Sequence, residues 1–255
     1  MVGLFPWPAL DSRTVHLPEA ASTNSEAMRL AGEGASSGTW VIADRQTGGR
    51  GRSGRMWVSP PGNLYATLVI REVFPLENAA QLALVSGVAL HAAVSAAIGT
   101  AKSDRLELKW PNDILLGRRK LGGILVETSV SGRDQGALAV IGIGLNLAHH
   151  PDLPGRPATD LSAHGASIAP LNLLSFLDEC MQEWFSKWAF GVGFAGVRQA
   201  WLQRSLPPGA GLTVHSGQVT LTGAFAGLAP DGALLIADGS GILQTVTFGD
   251  VALAQ

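Results

Sequence analysis

Pro207-Pro208-Gly209 divides this chain into two stretches of different rhythm, and that division limits the folds open to it. Beyond it come short strand patterns around 211–215, 219–227, 233–237, 242–247 and 250–253, joined by glycine-containing turns. That is the cadence of a small β-barrel. Before it, strands and helices mix. Val15–Leu17, Thr39–Ala43, Asn63–Arg71, Leu106–Trp110, Ile114–Leu116, Lys120–Thr128 and Ala137–Leu147 read as strands. Residues 79–99, 170–190 and Phe194–Leu206 read as helices, and residues 148–168 as a loop. Ser22 or Thr23 can cap a further helix, with Glu26 at capping-box spacing and an end near Gly32 or Gly34. The order predicts an α+β fold and not a doubly wound parallel sheet. Residues 1–206 form one expected domain and 207–255 a second, all-β one.

Composition excludes several classes. The chain has 255 residues, 46% of them hydrophobic and 15% charged, enough for an ordinary buried core and too apolar for disorder. A formal net charge of −2 argues against a general polyanion binder, which carries a basic domain. Cys180 is the single cysteine, so no intrachain disulfide and no cysteine metal framework can form. Its place beside Leu177 and Met181 reads as a small core residue. The N-terminus has no basic region and carries two early prolines, unlike a secretory signal. Leu82–Ile98 is interrupted by Ser86, Gly87, His91 and Ser95 and is shorter than a typical membrane span. A soluble, cytoplasmic protein with no membrane partner is expected.

The chemistry gathers in two segments. Residues 48–57 interleave Arg50, Arg52 and Arg55 with Gly49, Gly51 and Gly54. Arginine forks bind carboxylate or phosphate oxygens, while glycines let backbone N–H groups approach an anion and let the loop close. The segment reads as a lid over an anionic ligand, or else as a solvated basic loop. In the second segment, 109–125, Lys109 and Lys120 fall on paired strands of a hairpin turned at Gly117-Arg118-Arg119. A partly desolvated Lys120 could hold a carboxylate and a phosphate together, with Gly122 and Gly123 leaving room for the ligand. Lysine is scarce, with only Lys102 and Lys187 besides these two. Other motifs fail. Arg55-Met56 stands where a phosphate-binding P-loop needs Lys-Ser/Thr, and Gly142-Ile143-Gly144 lies inside an apolar strand, unlike a dinucleotide fingerprint. His149-His150 reads as plain surface.

GRGRSGR followed by Trp57, KWPND at 109–113, KLGGILVE at 120–127 and GIGLN at 142–146 resemble, in order and spacing, the biotin–protein ligases. Ser22-Thr23-Asn24 and Gln46 match that family too, and the resemblance covers roughly residues 13–255. It implies a mixed-sheet catalytic domain related to lipoate ligases, with a C-terminal SH3-like barrel. It implies ATP and biotin as substrates and Mg²⁺ as cofactor. Biotin's carboxylate would attack the α-phosphate of ATP to give biotinyl-5′-adenylate and pyrophosphate. A lysine of a biotin carboxyl carrier domain would then take the biotin and release AMP.

The resemblance also assigns residues. Ser22, Thr23, Asn24, Gln46, Gly49, Arg50, Gly51, Arg52, Lys120 and Gly123 would bind biotin, its apolar body lying against Trp57 or Gly122, Gly123 and Ile143. Arg50, Arg52, Arg55, Trp57, Asn112, Lys120 and Asn146 would hold ATP or the adenylate, and Lys120 and Arg52 would be catalytic. Asn112 and Asn146 could equally neighbour a metal. Asp113 reads as a metal ligand or a turn former, so no metal ligand is assigned. The catalytic pattern starts by about residue 13, leaving no room for the helix-turn-helix of bifunctional members, so no DNA binding is expected. A homodimer is compatible with the sequence. Lipoate or octanoyl attachment is the neighbouring alternative. It is disfavoured because the octanoyl branch needs a reactive cysteine and the GRGR loop belongs to the biotin branch. An anion- or nucleic-acid-binding module is the non-enzymatic one, and the near-neutral charge speaks against it.

Overall fold

Strands that are apolar on both faces belong at the centre of a covered sheet. Leu64–Glu72 and Ala137–Leu145 are such strands, and they pair antiparallel in the middle of a seven-stranded sheet. The computed structural model describes residues 7–72, 76–99, 105–130 and 137–254. Residues 1–6 and Lys102 lie outside these. The strands of the large sheet are β1 (Thr14–Ala20), β2 (Trp40–Gln46), β3 (Leu64–Glu72), β4 (Leu106–Lys109), β5 (Asp113–Leu116), β6 (Arg119–Val130) and β7 (Ala137–Leu145). Their spatial order is β1-β2-β3-β7-β6-β5-β4. Only β1 and β2 run parallel, so the sheet is mixed.

Period-two alternation sends the strand residues to two unequal cores. Ile42, Leu68, Ile70, Ile141 and Ile143 face a large cluster with helices α2 (Gln81–Ile98), α3 (Pro170–Trp188) and α4 (Phe194–Leu202). Val41, Val69, Leu138 and Val140 face a small one with Ala27 and Ala31 of α1 (Thr23–Gly32). The rest of that second face is left to the site. With its leading turn, the α2 segment Asn78–Ile98 spans 21 residues at mean hydropathy 1.7, long and apolar enough on composition alone to cross a membrane. This corrects the shorter stretch read from the sequence. Val85, Val88, Ala89, Leu90, Ala93 and Val94 are buried within the protein.

A buried ion pair ties α3 to the start of the sheet. Arg13 Nη2 lies 2.5 Å from Asp178 Oδ2, and Asp178 also accepts from Trp40 Nε1 at 2.7 Å and Gln182 Nε2 at 2.9 Å. With this many donors the carboxylate is fully satisfied, which a buried charge requires. Two expected helix ends differ. Ser22 caps α1 by accepting from Ser25 N, while Glu26 turns to Arg29, so the capping box with Glu26 does not form. The last helix stops at Leu202, not Leu206, because Leu108 N donates to Arg204 O and Leu206 N to Leu108 O, drawing residues 204–206 against β4.

The tail is a small antiparallel sheet of β8 (Gly211–Ser216), β9 (Val219–Leu228), β10 (Leu234–Ala237), β11 (Leu243–Val246) and β12 (Asp250–Leu253), ordered β11-β10-β9-β8-β12. Leu212, Val214, Phe225, Leu228 and Val251 join the large core. Polar links reinforce the junction. Trp110 Nε1 donates to Gly232 O at 3.1 Å, and Lys109 Nζ to Val251 O at 2.5 Å.

His91 on α2 gives the fold a measurable acid sensitivity. Burial pushes its pKa from 6.5 down to about 4, against a partly offsetting bond to Leu106 O. The unfolded chain takes up this proton near pH 6.5 and the folded chain only near 4. Stability is therefore full above pH 6.5 and falls toward pH 4, by about 3 kcal/mol in all. Chemical denaturation between pH 7 and 4 should show this loss, and His91→Gln should flatten it. An equal acid loss in the variant would assign the effect elsewhere.

Candidate active site

Along the α1 face of β7 the residues read Leu138, Val140, Gly142, Gly144. The first two pack beneath α1, and the next two leave space that other side chains fill. A Cβ on Gly142 would meet Asn24 Oδ1 at 2.0 Å, and one on Gly144 would meet the Trp57 indole at 2.6 Å. Two glycines at alternate positions thus seat Asn24 and Trp57 side by side on the sheet.

Asn24 is held firmly. Its Nδ2 donates to Glu127 Oε2 at 2.7 Å and Leu125 O at 3.2 Å, and its Oδ1 accepts from Thr67 Oγ1 at 2.7 Å. Gln46 Oε1 accepts from Thr23 N at 2.8 Å and Thr23 Oγ1 at 3.1 Å, while its Nε2 donates to Ser59 Oγ at 3.1 Å. Ser22, Thr23, Asn24 and Gln46 therefore form one polar corner, and all four line a cavity of about 650 Å³.

Lys120 reaches the same cavity because β6 breaks its alternation. Gly122 pairs with Ile114 and Lys120 with Leu115, so the register slips by one residue at Leu121. Leu121 turns into the large core, and Lys120 joins Gly123 on the cavity side. A β-bulge re-aims a side chain in this way. Lys120 Nζ lies 2.5 Å from Asp113 Oδ1, and Lys109 Nζ lies 2.9 Å from Asp113 Oδ2. Burial alone would raise the Asp113 carboxyl, but the two ammonium charges hold it well below the usual carboxylate range. Asp113 is thus a fixed counter-charge at the head of β5. The two lysines are not on paired strands, as the sequence suggested. They sit on β4 and β6, on either side of β5.

The arginine loop closes over this floor. Arg50 bridges to Met56, and Trp57 N donates to Gly49 O at 2.9 Å. Each arginine takes its own bearing. Arg50 Nη2 donates to Ser25 Oγ at 3.1 Å and lies 3.6 Å from Glu127. Arg52 Nη1 lies 3.5 Å from Asn112 Oδ1 and 3.9 Å from Asp250 Oδ1, while Arg55 pairs closely with Asp250 on β12. Lys120 Nζ stands 5.4 Å from the Trp57 ring centroid, within cation–π range. Trp57 Nε1 itself is buried without a partner.

Of the residues expected from sequence, Ser22, Thr23, Asn24, Gln46, Arg50, Gly51, Arg52, Arg55, Trp57, Asn112, Lys120, Gly123 and Asn146 all line the cavity. Gly49 does not. Any Cβ there would strike Trp57 O and Ser59 Oγ, so its place is at the tight base of the loop. Gly122 also faces away, toward Leu145 and Ile114. Asn146 is buried, with Nδ2 donating to Thr159 O at 3.0 Å. His149 and His150 are both exposed, and His150 Nδ1 lies 2.5 Å from buried Asp160. Cys180 is half-buried, and burial with Glu183 and Glu179 raises its pKa, which suits a passive thiol. Residues missed from sequence include Thr67, Glu127, Arg118, Arg156 and Asp250. The Gly122-Gly123 pair was the available sign of the bulge. Among the described residues, no three His, Cys, Asp or Glu stand together as metal ligands.

Residues 20–146 match the model of the biotin/lipoate A/B protein ligase family, and residues 212–253 that of the biotin protein ligase C terminal domain. A biotin--[acetyl-CoA-carboxylase] ligase of Paracoccus denitrificans is 41% identical over 226 residues, 86% of this chain and 92% of the relative. The chain belongs to the biotin–protein ligase family. The bifunctional ligase/repressor BirA of Bacillus subtilis is 33% identical over 87% of this chain and 68% of its own length. Biotin protein ligase from Aquifex aeolicus, solved with biotin and ATP, superposes at a TM-score of 0.78 with 28% identity, covering 95% of this chain and 99% of that one. The α+β fold with its small C-terminal β-domain is the ligase fold, and the chain is a biotin–protein ligase. The Gly144→Ala ligase should lose at least tenfold in biotin affinity by calorimetry, because its methyl group displaces the Trp57 indole. Unchanged affinity would mean that the indole does not wall the biotin slot.

Proposed function

We propose that the cavity first joins biotin to the α-phosphate of ATP beneath the 48–57 loop, and then passes biotin to a lysine of a biotin carboxyl carrier domain. In this reading the ring of biotin meets the polar corner of Ser22, Thr23, Asn24 and Gln46, and its apolar body lies along Trp57, Gly123 and Gly144. Its carboxylate then points down β6 toward Lys120. The observation that carries the reading is the setting of Lys120, an ammonium in the same cavity as three loop arginines and held 2.5 Å from a buried carboxylate.

The difficulty in the first step is electrostatic. A carboxylate oxygen must bond to a phosphorus already surrounded by anionic oxygens, while the bond from that phosphorus to the bridging oxygen breaks and pyrophosphate leaves with the electron pair. No proton moves. Lys120, Arg50 and Arg52 supply the positive charge that lets the two anions meet and that stabilises the extra charge on the α-phosphate. Asp113 keeps Lys120 in place, so little reorganisation is needed at the moment of reaction. Burial lowers the pKa of Arg52, opposed by Asp250 and Asp113, yet a guanidinium starts so high that it stays charged. Mg²⁺, carried in on the nucleotide's own phosphate oxygens, would neutralise charge there. Asn112 and Asn146 are the assigned neighbours of the adenylate.

In the second step the acceptor amine attacks the acyl carbon of the mixed anhydride, the C–O bond breaks and AMP departs. The anhydride must be shielded from water until the amine arrives, and the glycine-hinged loop covers it. The C-terminal domain, taken to begin at residue 207, supports the lid through Asp250. The lone half-buried thiol of Cys180 suits a reducing cytoplasm.

Lys120→Met should cut biotinyl-adenylate formation by at least a hundredfold, while leaving biotin affinity within a few-fold. Pyrophosphate release and intact mass of an added carrier domain, with biotin or lipoate as substrate, would measure both the step and its specificity. Near-normal release by the variant would refute the assignment of Lys120, and a carrier modified by lipoate alone would refute the substrate.

A further inference from the structure

The loop arginines and both pocket lysines are held by protein hydrogen bonds or ion pairs, but among the described residues two further arginines lining the cavity are not. Arg118 and Arg156 make no side-chain hydrogen bond or ion pair among the described residues. Half-buried Glu107, whose pKa is raised by burial, is only partly relieved by the Arg118 charge. Both arginines are exposed, at the end of the cavity furthest along β6 from the Asn24 corner.

The backbone brings them together. Ala158 forms a parallel bridge with Lys120, fixed by Lys120 N to Pro157 O and Thr159 N to Lys120 O, both at 2.9 Å. Arg118 and Arg156 each stand two residues before this bridge, at the ends of the two turns that lead into it. Arg119 Nε, donating to Ala158 O at 2.9 Å, staples the same pair of segments. Arg118 also holds a costly conformation. Gly117 and Arg118 have φ of 59° and 63°, the two left-handed positions of a tight hairpin turn. Glycine or asparagine suits the second position better, so an arginine kept there at the rim of a cavity is a candidate for a function.

The axis of β6 supplies direction. Glu127 and Leu125 contact Asn24, Gly123 follows, then Lys120, then Arg118. If biotin enters from the Asn24 end and its carboxylate attacks near Lys120, the leaving group of an in-line displacement departs on the opposite side. That side is the Arg118–Arg156 end. We propose that Arg118 and Arg156 form a diphosphate site that binds the two outer phosphates of ATP and receives pyrophosphate as the bond from the α-phosphorus to the bridging oxygen breaks. The inference rests on the ligase reading above and adds where the leaving group goes. Two guanidinium groups on adjoining segments at one end of the cavity, neither held by a side-chain hydrogen bond among the described residues, match the spread oxygens of a diphosphate better than a single carboxylate.

Biotin-dependent exchange between pyrophosphate and ATP tests this on the full-length protein. Arg118→Gly keeps a backbone able to adopt positive φ, and Arg156→Ala changes only an exposed side chain. Each should raise the KM for ATP and the inhibition constant for pyrophosphate about tenfold, and the double variant more. The KM for biotin should stay within twofold. Transfer to a carrier domain from supplied biotinyl-5′-adenylate, which lacks both outer phosphates, should run at the wild-type rate. Arg118→Lys should recover part of the loss. Unchanged ATP and pyrophosphate constants would overturn the inference, as would an equal loss in the transfer step, since that marks a structural role. A wild-type protein that performs no exchange would instead overturn the ligase reading and the diphosphate site with it.

Discussion

The carboxylate of Asp113 is the fixed point around which the catalytic half of the molecule is organised. It is shared by Lys109 and Lys120, one from the strand on either side of β5. Lys109 passes the connection on to the carbonyl of Val251, so the same carboxylate anchors the C-terminal domain. Coulomb attraction in a buried setting is strong enough to overcome the cost of desolvating this acid, and its lowered pKa records that balance. Losing it would leave two ammonium groups close together with nothing between them. The register of three strands, the aim of Lys120 and the seat of the small domain therefore share one electrostatic cause.

Around that point the pocket is made largely by omission. A strand of normal side chains would fill the space above the sheet. Gly142, Gly144 and Gly123 remove those side chains at successive places on one face, and Asn24, Trp57 and Lys120 move in. The bulge at Leu121 adds a local change of phase, giving Leu121 to the hydrophobic core and Lys120 to the cavity. Packing on the other face of the same strands is uninterrupted, so the sheet can afford these gaps without losing its core.

Much of this was legible in the chain itself. The apolar runs of β3 and β7, the α1 start at Ser22 and the break at Pro207 announce themselves through local chemistry. So do the arginine loop and the lysine-flanked segment, because clustered guanidinium groups and glycines are rare for structural reasons alone. The tertiary pairings were less accessible. Lys109 and Lys120 look like hairpin partners because nothing local reveals that β5 runs between them and gathers both charges. Gly122 and Gly123 look alike in sequence, yet the alternation of the strand turns one toward Leu145 and Ile114 and the other into the cavity. Arg118 and Arg156 are far apart in the chain, and the bridge between Lys120 and Ala158 is what brings their segments side by side. His150 is at the surface as its setting suggests, but its partner Asp160 is buried only by the fold and could not be named from the chain.

The pairing of each lid arginine with a protein carboxylate or hydroxyl has a thermodynamic side. Arg50 rests on Ser25 and Glu127, while Arg52 and Arg55 lean on Asp250. An incoming anion cannot simply add itself to bare positive charge; it must trade places with groups already there. Weak, singly charged anions gain little from that exchange, whereas a ligand presenting several oxyanions at once can displace several partners together. Resident counter-ions of this kind turn a basic loop into a threshold device, quiet toward the salts of the cell and responsive to a dense polyphosphate.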